Sequence, residues 1–225
     1  ARVRDASLGF AAGVMLTASF FSLIVPALEV AEQRHGAGPA PALIACLGVA
    51  IGMTAVAALN GLLPHEHFVS GRDGPRRASL ERIWLFVFAI TIHNIPEGMS
   101  VGVAFGTGEP SHGWPLALGI GLQNAPEGLA VAVALVGEGY GRARAAWIAL
   151  LTGLVEPVGG LMAALTVTVS QALLPWALAF AAGAMLFVIN HEIVPETHRR
   201  GHEATATLGF GIGLIAMLFL DAWLG

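Results

Sequence analysis

The sequence predicts an all-α fold, a polytopic bundle of membrane-spanning helices. Three observations carry this prediction. Of 225 residues, 56% are hydrophobic and 12% charged, and the mean hydropathy is +0.73, a composition foreign to soluble domains. Apolar stretches recur at the length of about 20 helical residues that a hydrocarbon core of ~30 Å requires. The charges gather at the ends of these stretches and at a few positions inside them. The net charge of −4 therefore says little about partners, and no nucleic-acid partner is expected. Cys46 is the sole cysteine, which excludes an intrachain disulfide and a multi-thiolate site; a bound metal must be held by nitrogen and oxygen. No organic cofactor is expected.

Seven spans follow in order, at about 6–31, 40–63, 83–106, 114–137, 145–169, 172–196 and 204–224, forming one transmembrane domain with a cytoplasmic loop at about 64–82. Ala1–Asp5 leads straight into the first, which is too long for a signal-peptide core. Gly36-Ala37-Gly38-Pro39, Gly71-Arg72-Asp73-Gly74-Pro75 and Arg199-Arg200-Gly201 mark loops. From Ala145 to Asn190 the only charge is Glu156. That stretch is too long for one span, and Ser170-Gln171 with Pro175 is the place to divide it.

All eleven basic residues are arginines. Arg2 and Arg4, then Arg72, Arg76, Arg77 and Arg82, then Arg142 and Arg144, then Arg199 and Arg200 fall on one side of the seven-span layout, and only Arg34 on the other. By the positive-inside rule the first residues are cytoplasmic and the C-terminus lies outside, in a membrane expected to be a bacterial inner membrane. At about 1.5 Å rise per residue, His93, Gln123 and Glu156 come near the midplane of spans three, four and five.

One short pattern occurs twice. His93-Asn94-Ile95-Pro96-Glu97-Gly98 lies in the third span and Gln123-Asn124-Ala125-Pro126-Glu127-Gly128 in the fourth. Each places a donor side chain at i, an amide at i+1 and a carboxylate at i+4, on roughly one helical face. Each proline removes the N–H that the carbonyl of Ile92 or Leu122 would accept, so a kink is expected there. Because the two spans run in opposite directions, the copies are related by a pseudo-two-fold axis in the membrane plane, the inverted-repeat arrangement of many secondary transporters.

An ionised side chain at mid-bilayer costs at least about 2.5–3.5 kcal/mol, and Glu97, Glu127 and Glu156 share that depth with His93. No arginine lies in the midplane zone to balance them. Either the carboxylates carry protons or a cation binds among them. Histidine, carboxylates and amide oxygens suit Zn²⁺, Cd²⁺, Fe²⁺ or Mn²⁺ better than Cu(I), and three glutamates can bridge two ions. Loading should release protons, since ligands must deprotonate.

His-Asn-x-Pro-Glu-Gly on one span and x-Asn-x-Pro-Glu-Gly on the next, with the flank Met99-Ser100-Val101-Gly102, resemble the paired signature of the ZIP family, the Zrt/Irt-like divalent metal transporters. The resemblance implies eight helices, both ends outside, and movement of zinc and related ions toward the cytoplasm. It implies a main site of His93, Glu97, Gln123 and Glu127, with Asn94, Asn124 and Glu156 completing a second site that shares the two motif glutamates. Many family members have histidine where this chain has Gln123, a poorer ligand. The first span here, with Ser22, Pro26 and Glu29, resembles the family's second, so the family's first helix is expected to be missing from this chain.

Further polar residues are candidates for a pathway. Ser22, Glu29 and Asp221 lie toward the outer face, as an entrance or as interfacial residues. His191, Glu192 and Glu196 approach the inner face in an order that echoes the main motif. Asn60, His65, Glu66 and His67 form a candidate inner acceptor. The expected partners are divalent metal ions and the lipid bilayer, with homodimerisation left open. Transport by alternating access is the leading function. An intramembrane metal-dependent hydrolase and a metal sensor without flux are the alternatives; the first is disfavoured because no His-Glu-x-x-His string exists and no spare base is evident.

Overall fold

The computed structural model describes residues 2–62, 66–67, 71–72, 79–197 and 201–224, with backbone only at 3–4, 60–62, 66–67, 71–72, 79–83, 85–86, 89, 93, 126, 192 and 196. It is a helical bundle. The first long helix comprises α1 (Arg2–Ala18), a π-helical turn (Ser19–Ile24) and α2 (Val25–His35). Then come α3 (Pro39–Leu62), the two-residue strands β1 (Glu66–His67) and β2 (Gly71–Arg72) paired antiparallel, α4 (Ser79–Gly106) and α5 (Pro110–Gly137). The remainder is α6 (Arg142–Gly153), α7 (Val155–Val169), a short 3₁₀ turn (Gln171–Leu173), α8 (Leu174–Val188), a second π-helical turn (Ile189–Ile193), α9 (Val194–Thr197) and α10 (Glu203–Leu224).

Among the described residues six stretches are long and apolar enough to cross a membrane, one fewer than the seven expected. The difference is the third expected span, 83–106. It forms as the 28-residue α4, but several of its side chains lie outside the description and its centre carries His93, Asn94 and Glu97. Ser170 is extended (φ −140°, ψ 95°) and separates α7 from the next crossing.

Glycine sets how the helices pair. A Cβ at Gly9 or Gly13 of α1 would overlap backbone at Ala206 or Phe210 of α10, and one at Gly209 or Gly213 would overlap Ala6 or Phe10. On α3, Gly52 faces the Phe180 carbonyl of α8, while Gly183 of α8 faces that of Val49. On α4, Gly98 and Gly102 lie against the carbonyls of Glu156 and Gly160 of α7. Three backbone-close seams, α1–α10, α3–α8 and α4–α7, thus replace side-chain interdigitation, as expected where lipid removes the hydrophobic drive for association. In α8, Leu178, Ala179, Ala181, Ala182, Gly183, Ala184, Met185 and Val188 are all buried. An apolar helix buried on every side lies at the centre of its bundle. α6 and α7 instead expose Leu150, Leu151, Leu161, Met162 and Leu165.

Each π-helical turn stands just before a proline, Pro26 in one case and Pro195 in the other. A proline nitrogen donates nothing to the preceding turn, and a one-residue widening absorbs the misfit. The widened turns contain Ser22 and His191-Glu192, which were candidates for the pathway.

Candidate metal centre

Both motifs lie within unbroken helical runs, α4 and α5. The run that is interrupted is the fifth crossing, where Leu154 separates α6 from α7 just ahead of Glu156-Pro157. A helix end leaves carbonyls without intrahelical partners. Asn94 of α4 serves one of them, its Nδ2 donating to the Thr152 carbonyl at 3.0 Å. The break in one helix is thereby joined to the motif of another.

Two further amide bonds tie the motifs to the carboxylates. Gln123 Nε2 donates to Glu97 Oε1 at 2.6 Å, linking α5 to α4, and Asn124 Nδ2 donates to Glu156 Oε2 at 2.7 Å, linking α5 to α7. Ser100 Oγ donates to the Glu97 carbonyl at 2.6 Å. Glu97 and Gln123 are almost wholly buried, at 1% and 0% exposure, and Asn94 is 4% exposed. Glu97 lies within electrostatic range of both Glu127 and Glu156.

All three amides have the same polarity. Each uses its N–H group and leaves its oxygen buried without a partner: Asn94 Oδ1, Gln123 Oε1 and Asn124 Oδ1, joined by Glu97 Oε2. A buried acceptor left unpaired costs about 1–3 kcal/mol. These are four acceptors from two motifs, facing no described donor, and oxygens of this kind suit a hard or borderline cation. Among the described residues no three His, Cys, Asp or Glu side chains group closely enough to hold a metal by themselves; the amides stand between the acids. The His93 side chain lies outside the described residues. Glu127 is half-buried and engaged in an interaction of its own.

Residues 64–221 match the family described as ZIP Zinc transporter. The chain belongs to the ZIP family. It is 48% identical over 205 residues to zinc transporter GufA of Myxococcus xanthus, covering 91% of this chain and 81% of that protein. To zinc transporter ZIPB of Bordetella bronchiseptica it is 48% identical over 225 residues, covering 100% and 73%. To zinc transporter ZIP11 of Homo sapiens it is 34% identical over 305 residues, covering 100% and 89%. Membership places the chain among integral membrane proteins of metal-ion transport rather than among enzymes.

Of the other candidates in this ZIP-family chain, Ser22 and Asp221 are brought together, the hydroxyl donating to Oδ1 at 2.7 Å across 199 residues of sequence. Glu29, about two helical turns beyond Ser22, is exposed. His191 is exposed and stacks on Phe187, with ring centroids 4.8 Å apart. The side chains of Asn60, His67, Glu192 and Glu196, and the whole of His65, lie outside the described residues.

Two partnerships escaped the sequence reading. The Thr152 carbonyl, as the acceptor for Asn94, had no signal, since Pro157 withholds its N–H from Gly153 instead. Buried Asp5 pairs through Oδ2 with His202 Nδ1 at 3.0 Å, joining the starts of α1 and α10. Its one signal was that both residues lie at the cytoplasmic ends of spans in the arginine-based layout.

Proposed function

We propose that this chain carries zinc across the membrane toward the cytoplasm by alternating access, holding the ion at mid-depth between α4, α5 and α7. The observation that carries the reading is the set of four unpaired buried oxygens on Asn94, Glu97, Gln123 and Asn124. A cation supplies the charge that four acceptors lack, and the zinc transporters related to this chain give that cation its identity. His93, Glu97, Gln123 and Glu127 form the main site. Asn94, Asn124 and Glu156 extend it toward a second ion that shares the motif glutamates. Cd²⁺, Fe²⁺ and Mn²⁺ fit the same nitrogen and oxygen ligands. The arginine distribution supports cytoplasmic first residues, an outer C-terminus and a bacterial inner membrane.

Gln123 has a specific part in loading. Its N–H group donates to Glu97 Oε1 while its own oxygen is bare, so one amide can hold Glu97 in place and offer its own Oε1 to the ion. Helix seams built from glycine permit α4 and α7 to slide together against their neighbours without separating side chains.

The test measures zinc binding and zinc flux in the same proteoliposomes. The proposal predicts both. Tight binding with no flux would favour the sensor reading and overturn transport.

A further inference from the structure

The starts of α1 and α10 carry a buried acid and a histidine that take no part in the candidate centre, which is built from α4, α5 and α7. Asp5 of α1 is 0% exposed. Its Oδ2 stands 3.0 Å from Nδ1 of His202, the residue that leads into α10 and whose side chain is 25% exposed. The other oxygen of the carboxylate, Oδ1, is buried without a hydrogen-bond partner. Among the described residues no arginine pairs with Asp5. A buried carboxylate with one imidazole beside it and one bare oxygen is electrostatically incomplete. Because Asp5 itself is closed off, whatever meets its carboxylate must come past His202.

The spacing of the pair suits a shared ion. Around tetrahedral zinc, with bonds of about 2.0–2.1 Å to nitrogen and about 2.0–2.2 Å to oxygen, neighbouring ligand atoms lie about 3.3–3.5 Å apart. Nδ1 and Oδ2 need to part by only a few tenths of an ångström to span that edge. The proton between them leaves on binding, and both atoms then face the gap with lone pairs. Oδ1, on the same carboxylate, makes a bidentate grip available. Both ligands are held in advance. Gly9, one turn beyond Asp5, lies against the Ala206 carbonyl, one turn beyond His202, so the two helices meet backbone to backbone beside the pair. The His202 carbonyl accepts from the Thr205 and Ala206 N–H groups at 2.9 and 3.0 Å, which fixes it to the start of α10. Ligands held on rigid elements lose little freedom when an ion arrives.

We propose that Asp5 and His202 form a second divalent-cation site, a two-residue chelate for Zn²⁺ or another borderline ion completed by water, at the end of the bundle where α1 and α10 begin. An imidazole nitrogen beside a carboxylate is a ligand pair that such ions select, whereas Mg²⁺ and Ca²⁺ take oxygen. A hydrogen bond alone would tie the two helices but leave Oδ1 unpaired.

Carbethoxylation of the histidines of the full chain by diethyl pyrocarbonate, located by peptide mass spectrometry, tests the site. Without metal the reactive nitrogen of His202 is Nε2; an ion on Nδ1 puts the ring proton on Nε2 and stops the reaction. At zinc about ten times its dissociation constant, modification of His202 should slow about tenfold, while exposed His35 keeps its rate and Mg²⁺ has no effect. The protection should persist in His93→Ala with Glu127→Ala, so failure of the candidate centre leaves it in place. Asp5→Asn keeps an acceptor for Nδ1 but is a poorer ligand, and should lose the protection. His202→Gln should lower the zinc bound at saturation by one ion per chain. Unprotected His202 in the intact chain, protection shared by His35, or protection undiminished in Asp5→Asn would overturn the proposal, the last leaving the pair a tie between helices only. An unchanged zinc count in monodisperse His202→Gln would overturn it as well, whether or not Asp5→Asn folds.

Discussion

Asn94, Gln123 and Asn124 are the residues on which the site turns, because an amide can offer either a donor or an acceptor. In each the donor is engaged and the oxygen is bare. Residue types and their spacing in the two motifs were legible in the sequence, as was the absence of balancing arginines. Which end of each amide would face a neighbour was not, since that depends on Glu97, Glu156 and the Thr152 carbonyl, which other helices bring. Gln123→His should raise zinc affinity and shift preference toward zinc over manganese, because imidazole suits zinc better than an amide oxygen does; competition binding with the two metals checks it, and unchanged selectivity would remove Gln123 from the ligands. Asn124→Ala leaves Glu156 Oε2 without its donor. About a 10–100-fold loss of metal affinity is expected, the usual effect of losing a group that orients a ligand, measured by titration calorimetry.

At the scale of elements, the long apolar helices among the described residues followed from apolar length, while their irregularities did not. Proline alone marks Pro26, Pro96, Pro157 and Pro195 equally, yet the outcomes differ. Two are preceded by π-helical turns, one lies in an unbroken helix, and one follows the interruption at Leu154. The local sequence sets which hydrogen bond a proline removes; neighbouring helices serve other carbonyls near the break, as Asn94 does at Thr152. The α4–α7 seam has its own prediction. A side chain at Gly98 would collide with the Glu156 backbone, so Gly98→Leu should force α7 away and destabilise the protein by about 1–3 kcal/mol. Gly121→Ala, where a Cβ meets nothing within 4 Å, should be close to neutral. Thermal unfolding of both in detergent separates them, and equal melting temperatures would contradict the seam.

For the whole molecule, the helical class was legible from hydropathy. The pairing was not. Glycines on α1, α3 and α4 are visible in the sequence, but nothing local says that α1 pairs with α10, α3 with α8 and α4 with α7. Those partners are chosen by the fit of the complete bundle. The pairing brings Glu156 to the two motifs and joins Ser22 to Asp221. Under the proposed function, that makes the repeated motif two half-sites with α7 as a third wall. The most direct test is zinc uptake into proteoliposomes by the intact chain, by His93→Ala and by Glu127→Ala. The account predicts rapid uptake by the intact chain and a fall to near background in both variants; normal flux in both would contradict it.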